Sequence, residues 1–132
     1  MREILFRGKS KSINKGEWIY GSFVEDTDLN ACCIRDKSLV YELVDRETVG
    51  QFTGLTDKNG KKIFEGDIIQ YCGCGYRESM GTIIYDKNFG AFVSKEYERY
   101  YVRFGDISQY GTVMGVEVIG NVHDNPELLE QL

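Results

Sequence analysis

The chain has 132 residues, 16 of them Lys or Arg and 21 Asp or Glu, for a formal net charge of −5, and 42% are hydrophobic. That length suits one domain with its own core, and that composition argues against disorder. The acidic balance weakens any case for general binding to a phosphate backbone, which wants a basic surface.

Fifteen glycines punctuate the chain. The short runs between them, rich in Ile, Val, Tyr and Phe, read as strands bounded by turns. In chain order the expected strands are 3–7, 18–24, 31–35, 39–44, 62–64, 68–72, 82–85, 91–94, 100–104, 112–114 and 116–122. Asp57-Lys58-Asn59-Gly60 places Asn-Gly between two apolar runs, and a pair that tolerates positive φ at both turn positions signals a hairpin. Gly66-Asp67 launches Ile68-Ile69-Gln70-Tyr71, and Gly81-Thr82-Ile83-Ile84-Tyr85 returns beside it, a twisted pair suited to a small barrel. At the end, Asn125 can cap a short helix with Pro126 in its first position, or Asp124 and Glu127 can form a capping box. No internal repeat or linker stands out, so one domain over 1–132 is expected, with 46–50 the place where lobes 1–46 and 47–132 would separate. No apolar run reaches the length of a membrane span, and the apolar part of residues 1–7 is too short for a signal peptide, so a cytoplasmic protein with no membrane contact is expected.

Most candidate chemistry fails on spacing. Gly54-Leu55-Thr56-Asp57-Lys58-Asn59-Gly60-Lys61-Lys62 imitates a phosphate-binding loop, but its glycines are one residue too far apart. Lys62 also stands where Ser or Thr would hold Mg²⁺, and the segment leads into a strand rather than a helix N-terminus. As a calcium loop the same stretch puts Leu55 and Gly66 where oxygen ligands are required. Four cysteines can hold zinc, yet Cys32 and Cys33 are adjacent on a strand and point to opposite faces. Cys72 and Cys74 can share a face, and His123 can add a ligand; buried or turn thiols are the plainer reading. His123, the single histidine, is also the only imidazole open to a general base or triad, and nothing brings a nucleophile to it. Arg7, Lys9 and Lys11 form a short basic run of the kind usually found in a solvated loop. Lys95, Arg99, Tyr100, Tyr101 and Arg103, with Tyr97 and Tyr110 nearby, interleave aromatics and cations as β surfaces that bind single strands do. A half-buried strand with a solvated face explains the same pattern.

Four stretches together resemble the YopX family of phage and prophage proteins. They are Arg2-Glu3-Ile4-Leu5-Phe6-Arg7; Trp18-Ile19-Tyr20-Gly21; the long block from Thr48-Val49-Gly50-Gln51-Phe52-Thr53-Gly54-Leu55 through Asp57-Lys58-Asn59-Gly60-Lys61 to Ile63-Phe64-Glu65-Gly66-Asp67-Ile68-Ile69; and Glu117-Val118-Ile119-Gly120-Asn121-Val122 with Asn125-Pro126-Glu127-Leu128-Leu129. The resemblance implies a small β-rich fold, a phage or prophage origin, a bacterial cytoplasmic setting and no catalytic residues, and the cysteines lie outside its pattern. Glu65-Gly66-Asp67-Ile68-Ile69 followed by Gly81-Thr82-Ile83 also resembles SH3-like barrels, an analogy of fold alone. The expectation is a mainly β protein: a small SH3-like barrel with additional strands and a short C-terminal helix, without enzymatic activity or cofactor. The function expected of it is a protein-interaction module acting on a host or phage protein, with self-association through strand edges as a further possibility. The alternatives are nucleic-acid binding through the Tyr/Arg stretch and a metal-dependent role through Cys72, Cys74 and His123.

Overall fold

Alternation of apolar and polar residues is realised as antiparallel strands in the computed structural model, which describes residues 2–72, 78–97, 100–103 and 115–131, with Cys72, Glu78, Tyr97, Tyr100–Arg103 and Gln131 described through their backbone alone. The expected strand at 112–114 lies outside the described residues. Contacts divide the chain into two units, Met1–Phe52 and Thr53–Leu132. Residues 46–50 fall inside the first.

The first unit contains β1 (Phe6–Lys9), β2 (Trp18–Asp26), β3 (Ala31–Arg35), β4 (Tyr41–Leu43) and the start of β5 (Gly50–Thr56). All pair antiparallel in the order β4-β3-β2-β1-β5. Burial alternates along β3, with Cys32 and Ile34 inside. These two pack with Val44, and Phe6, Ile19, Phe23 and Val49 close the cluster. Turn carboxylates set the hairpins. Asp26 Oδ1 accepts from the amides of Asp28 and Leu29 at 3.0 and 3.1 Å, and Asp36 Oδ1 accepts from Ser38 and Val40 at 2.8 and 3.1 Å. An Asp at the head of a turn does this because its short side chain reaches amides two to four residues on. Gly21 permits close approach: a Cβ there would lie 2.0 Å from the Arg35 carbonyl oxygen. A 3-10 helix, Arg46–Thr48, precedes β5, capped by Asp45. Buried Thr48 fastens it, because its Oγ1 accepts from Lys9 N at 2.8 Å and donates to the Asp45 carbonyl at 2.6 Å.

The second unit continues β5 into β6 (Lys62–Phe64), followed by β7 (Asp67–Cys72), β8 (Glu78–Asp86), β9 (Ala91–Tyr97), β10 (Tyr100–Arg103) and β11 (Glu117–Asn121). Its five-stranded sheet runs β10-β9-β8-β7-β11. Ile63, Ile69, Tyr71, Ile83 and Val116 are buried together, with Leu55, Phe92 and Val118 against them.

Asp57 organises the turn between β5 and β6. Its side chain is 1% exposed. Oδ1 accepts from the amides of Asn59 and Lys61, each at 2.9 Å, and Oδ2 from the amide of Val118 at 3.0 Å. Sequence placed the turn here, on an Asn-Gly pair that tolerates positive φ at both positions. Only Gly60 is left-handed, at φ +81°. With Gly60 N donating to the Asp57 carbonyl at 3.0 Å, the geometry is a type I turn closed by a left-handed glycine.

Two further expectations are corrected. Neither unit's sheet closes, since its outermost strands are not bonded to each other among the described residues; the expected barrel is met as open antiparallel sheets. The C-terminal helix is a 3-10 helix, Pro126–Gln131. Both capping side chains are engaged elsewhere: Asn125 Oδ1 accepts from Asn121 N, and Asp124 Oδ2 accepts from Asn121 Nδ2.

Burial alone would raise the Asp57 pKa, but the three backbone amides, with Lys61 nearby, outweigh it and hold the carboxyl below its ordinary value. A depressed folded pKa means the contribution to stability is complete above the unfolded value, about 3.9, and is lost as pH falls through the lower folded value. We expect Asp57→Ala to cost about 3 kcal/mol in urea unfolding at pH 7, with a smaller deficit at pH 2 to 3. A deficit of equal size at both pH values would show that the ionised carboxylate is not what holds the turn.

Candidate functional site

Residues directly opposite on antiparallel strands share a face. In the first unit Cys33 stands opposite Val24 on β2 and Leu43 on β4, and Arg35 opposite Ser22 and Tyr41. These residues, with Tyr20 further along β2, form the outer face of β2–β4. The inner face carries Cys32, Ile34 and Glu42, exposed by no more than 4%. The outer face is apolar yet open: Tyr41 is 55% exposed, Tyr20 46%, Leu43 44% and Val24 37%. At the adjoining turn Leu39 is exposed and held at φ +63°, a left-handed conformation costly for a side chain of its bulk. The Asp36 carboxylate secures the turn around it.

Of the basic run near the start, Lys11 lies in an exposed bend, as expected, but the other two do not belong to a solvated loop. Arg7 and Lys9 lie on β1, and Arg7 is buried. Its guanidinium carbon sits 4.5 Å from the centre of the Trp18 ring, and Lys9 Nζ lies 5.5 Å from it, both within cation–π range. The signal was available in sequence, since Arg7 and Lys9 alternate on a strand and Trp18 opens the next one.

The remaining sequence candidates are distributed as follows. Lys95 is half-buried on β9, opposite Thr82 and, in register, Tyr101. Tyr100 and Arg103 belong to β10, where Arg103 faces Val93 in register; Arg99 and Tyr110 lie outside the described residues. Cys72 ends β7, Cys74 lies outside the described residues, and His123 occupies the turn after β11, where its amide donates to Asn121 Oδ1 at 3.0 Å. Among the described residues no three His, Cys, Asp or Glu side chains gather as a metal site. Cys32 and Cys33 do face opposite ways, one buried and one half-buried. Burial pushes the Cys32 thiol up, against the lowering influence of Arg46, and its Sγ donates to the Val44 carbonyl.

The phosphate-loop and calcium-loop stretch is the β5–β6 hairpin. Both Asp57 oxygens are already bonded to backbone amides, so they do not form an open ligand set. What the outer face of β2–β4 can do is present rings, aliphatic groups and one guanidinium to a partner surface. That composition, rich in Tyr with an Arg, is the one enriched at protein interfaces.

Fold and site together define a two-unit antiparallel β protein with an open apolar sheet face. The YopX protein family model matches residues 5–130, and the chain belongs to the YopX family. The crystal structure of protein EF1440 from Enterococcus faecalis is similar, at a TM-score of 0.58 and 28% identity, over 98% of this chain and 99% of that one. No curated protein matches the chain. No helix among the described residues is long and apolar enough to cross a membrane.

Exposed side chains add little to packing. Tyr41→Ala with Leu43→Ser is therefore expected to cost about 1 kcal/mol or less in urea unfolding. Ile34→Ala, at a fully buried position of the same sheet, should cost about 2–5 kcal/mol. A loss in the double variant comparable to that of Ile34→Ala would place Tyr41 and Leu43 in the packing and remove them from the site.

Proposed function

We propose that this YopX-family chain is a non-enzymatic protein-interaction module of phage or prophage origin, acting in the bacterial cytoplasm on a host or phage protein. The observation that carries this reading is the outer face of β2–β4, where four large apolar side chains are 37–55% exposed on one side of a sheet whose other side is core. Single exposed apolar residues are ordinary; grouped ones mark contact surfaces. We further read the strand order of each unit as SH3-like, laid out as an open sheet. Support comes from the strand order, four strands in succession with the fifth beside the first, and from the 3-10 turn leading into the fifth strand of the first unit.

The test is a tagged pulldown from phage-infected host cells, with and without nuclease, comparing the parent chain with the Tyr41→Ala/Leu43→Ser variant. A protein recovered by the parent after nuclease and lost by the variant supports the module and its face. Recovery that vanishes with nuclease overturns the reading in favour of nucleic acid and shifts attention to Lys95, Tyr101 and Arg103. A protein recovered equally by both chains moves the docking surface away from β2–β4.

A further inference from the structure

The strand order β4-β3-β2-β1-β5, which β6 extends beyond β5, has the same form as the order β10-β9-β8-β7-β11 of the five-stranded sheet. The likeness extends to register. Ser22 faces Arg35 and Asp26 faces Ala31 across β2 and β3; Thr82 faces Lys95 and Asp86 faces Ala91 across β8 and β9. Arg35 faces Tyr41 across β3 and β4, and Lys95 faces Tyr101 across β9 and β10. Equivalent residues keep one spacing of 60 throughout these three strands, from Gly21 to Gly81, from Asp26 to Asp86 and from Tyr41 to Tyr101. The glycine of the second strand faces Phe6 on β1 in one unit and Ile69 on β7 in the other. Phe6 and Ile69 in turn face the fifth strand, through Gln51 and Val118.

The turns agree in detail. Asp26 Oδ1 accepts from the amides two and three residues on, and Asp86 Oδ1 does the same, at 2.7 Å from Asn88 and 3.3 Å from Phe89. The fourth residue after each Asp is left-handed, Asn30 at φ +49° and Gly90 at +64°. The third is a large exposed apolar residue, Leu29 or Phe89. Both glycines also stand where a Cβ would collide with the third strand of its own unit, Gly21 with the Arg35 carbonyl oxygen and Gly81 with Ser94 Oγ, each at 2.0 Å.

We infer that the chain is a tandem pair of one five-stranded module. A shared strand order alone would follow from any two small antiparallel sheets. A constant spacing through two successive hairpins, with the same Gly, Asp, Ala and Tyr at matching registers, is the pattern that copies of one module leave. The hydroxyl, cation and tyrosine of one cross-strand row, Ser22, Arg35 and Tyr41, recur as Thr82, Lys95 and Tyr101. The surface proposed above as the docking face therefore has a register counterpart in the second module, while the duplication itself stands independently of that functional reading.

The experiment exchanges turn residues in the full chain. One variant carries Thr27→Lys, Asp28→Asn, Leu29→Phe and Asn30→Gly; its reciprocal carries Lys87→Thr, Asn88→Asp, Phe89→Leu and Gly90→Asn. A third places the second turn one residue out of phase, with Thr27→Asp, Asp28→Lys, Leu29→Asn, Asn30→Phe and Ala31→Gly. Thermal unfolding followed by circular dichroism should leave both in-phase chains within about 3 °C of the parent and lower the out-of-phase chain by about 5 °C or more. In-phase chains that melt as low as the out-of-phase one, or an out-of-phase chain that melts with the parent, would overturn the equivalence.

Discussion

A buried carboxylate is tolerated only when hydrogen bonds replace the water it has lost, and at Asp57 every one of the three donors is a backbone amide. Two belong to its own turn and one to β11, distant in sequence. The same side chain therefore shapes the hairpin between β5 and β6 and ties it to the strand that borders β7. Lys58 N, donating to the Val116 carbonyl at 2.9 Å, repeats the tie one residue on. A second buried carboxylate, Asp67, accepts from Phe64 N at 2.8 Å where β6 gives way to β7. Between them the left-handed Gly66 donates to the Ile83 carbonyl and accepts from Val122 N. The connections of this unit are thus tied by hydrogen bonds of their own, beside those of its strands.

Much of the fold was legible because it is local. Ala31–Arg35 and Lys62–Phe64 were expected at their observed bounds, since β-rich runs end there at turn residues. β5 was not expected. Gly50, Thr53 and Gly54 dilute its apolar pattern, and although β6 follows it across the Asp57 turn, its other partner, Phe6, lies far away in sequence. The C-terminal helix was misread for a related reason: Asn125 and Asp124 have the right chemistry for capping, but Asn121 takes both side chains. The duplication stayed hidden because only a few matched positions keep the same residue. Register, which sequence does not display, brings them into line.

The blocks that carry the family resemblance prove to be largely scaffold. Asp57, Gly60, Gly66, Asp67, Asn121 and Asn125 hold turns, and Ile63, Ile68 and Ile69 are fully buried. The outer face of β2–β4 draws little from those blocks beyond Tyr20. Membership of the family therefore informs the fold of this chain and leaves its surface chemistry to be read from the residues themselves. That face could not be found by motif, because nothing in Tyr41 or Leu43 distinguishes an exposed strand residue from a buried one until the register with Arg35 and Cys33 is known.

Adjacent cysteines on a strand are a useful accident of this register. Cys32 turns inward, its thiol bonded to the Val44 carbonyl and its acidity weakened by burial. Cys33 turns outward, between Val24 and Leu43. Thiol reagents attack the accessible thiolate rather than the buried thiol, so the two neighbours differ in reactivity by position alone. The native chain thus carries an attachment point for a fluorophore or spin label in the middle of its open sheet face, next to a thiol that the same reagent passes over.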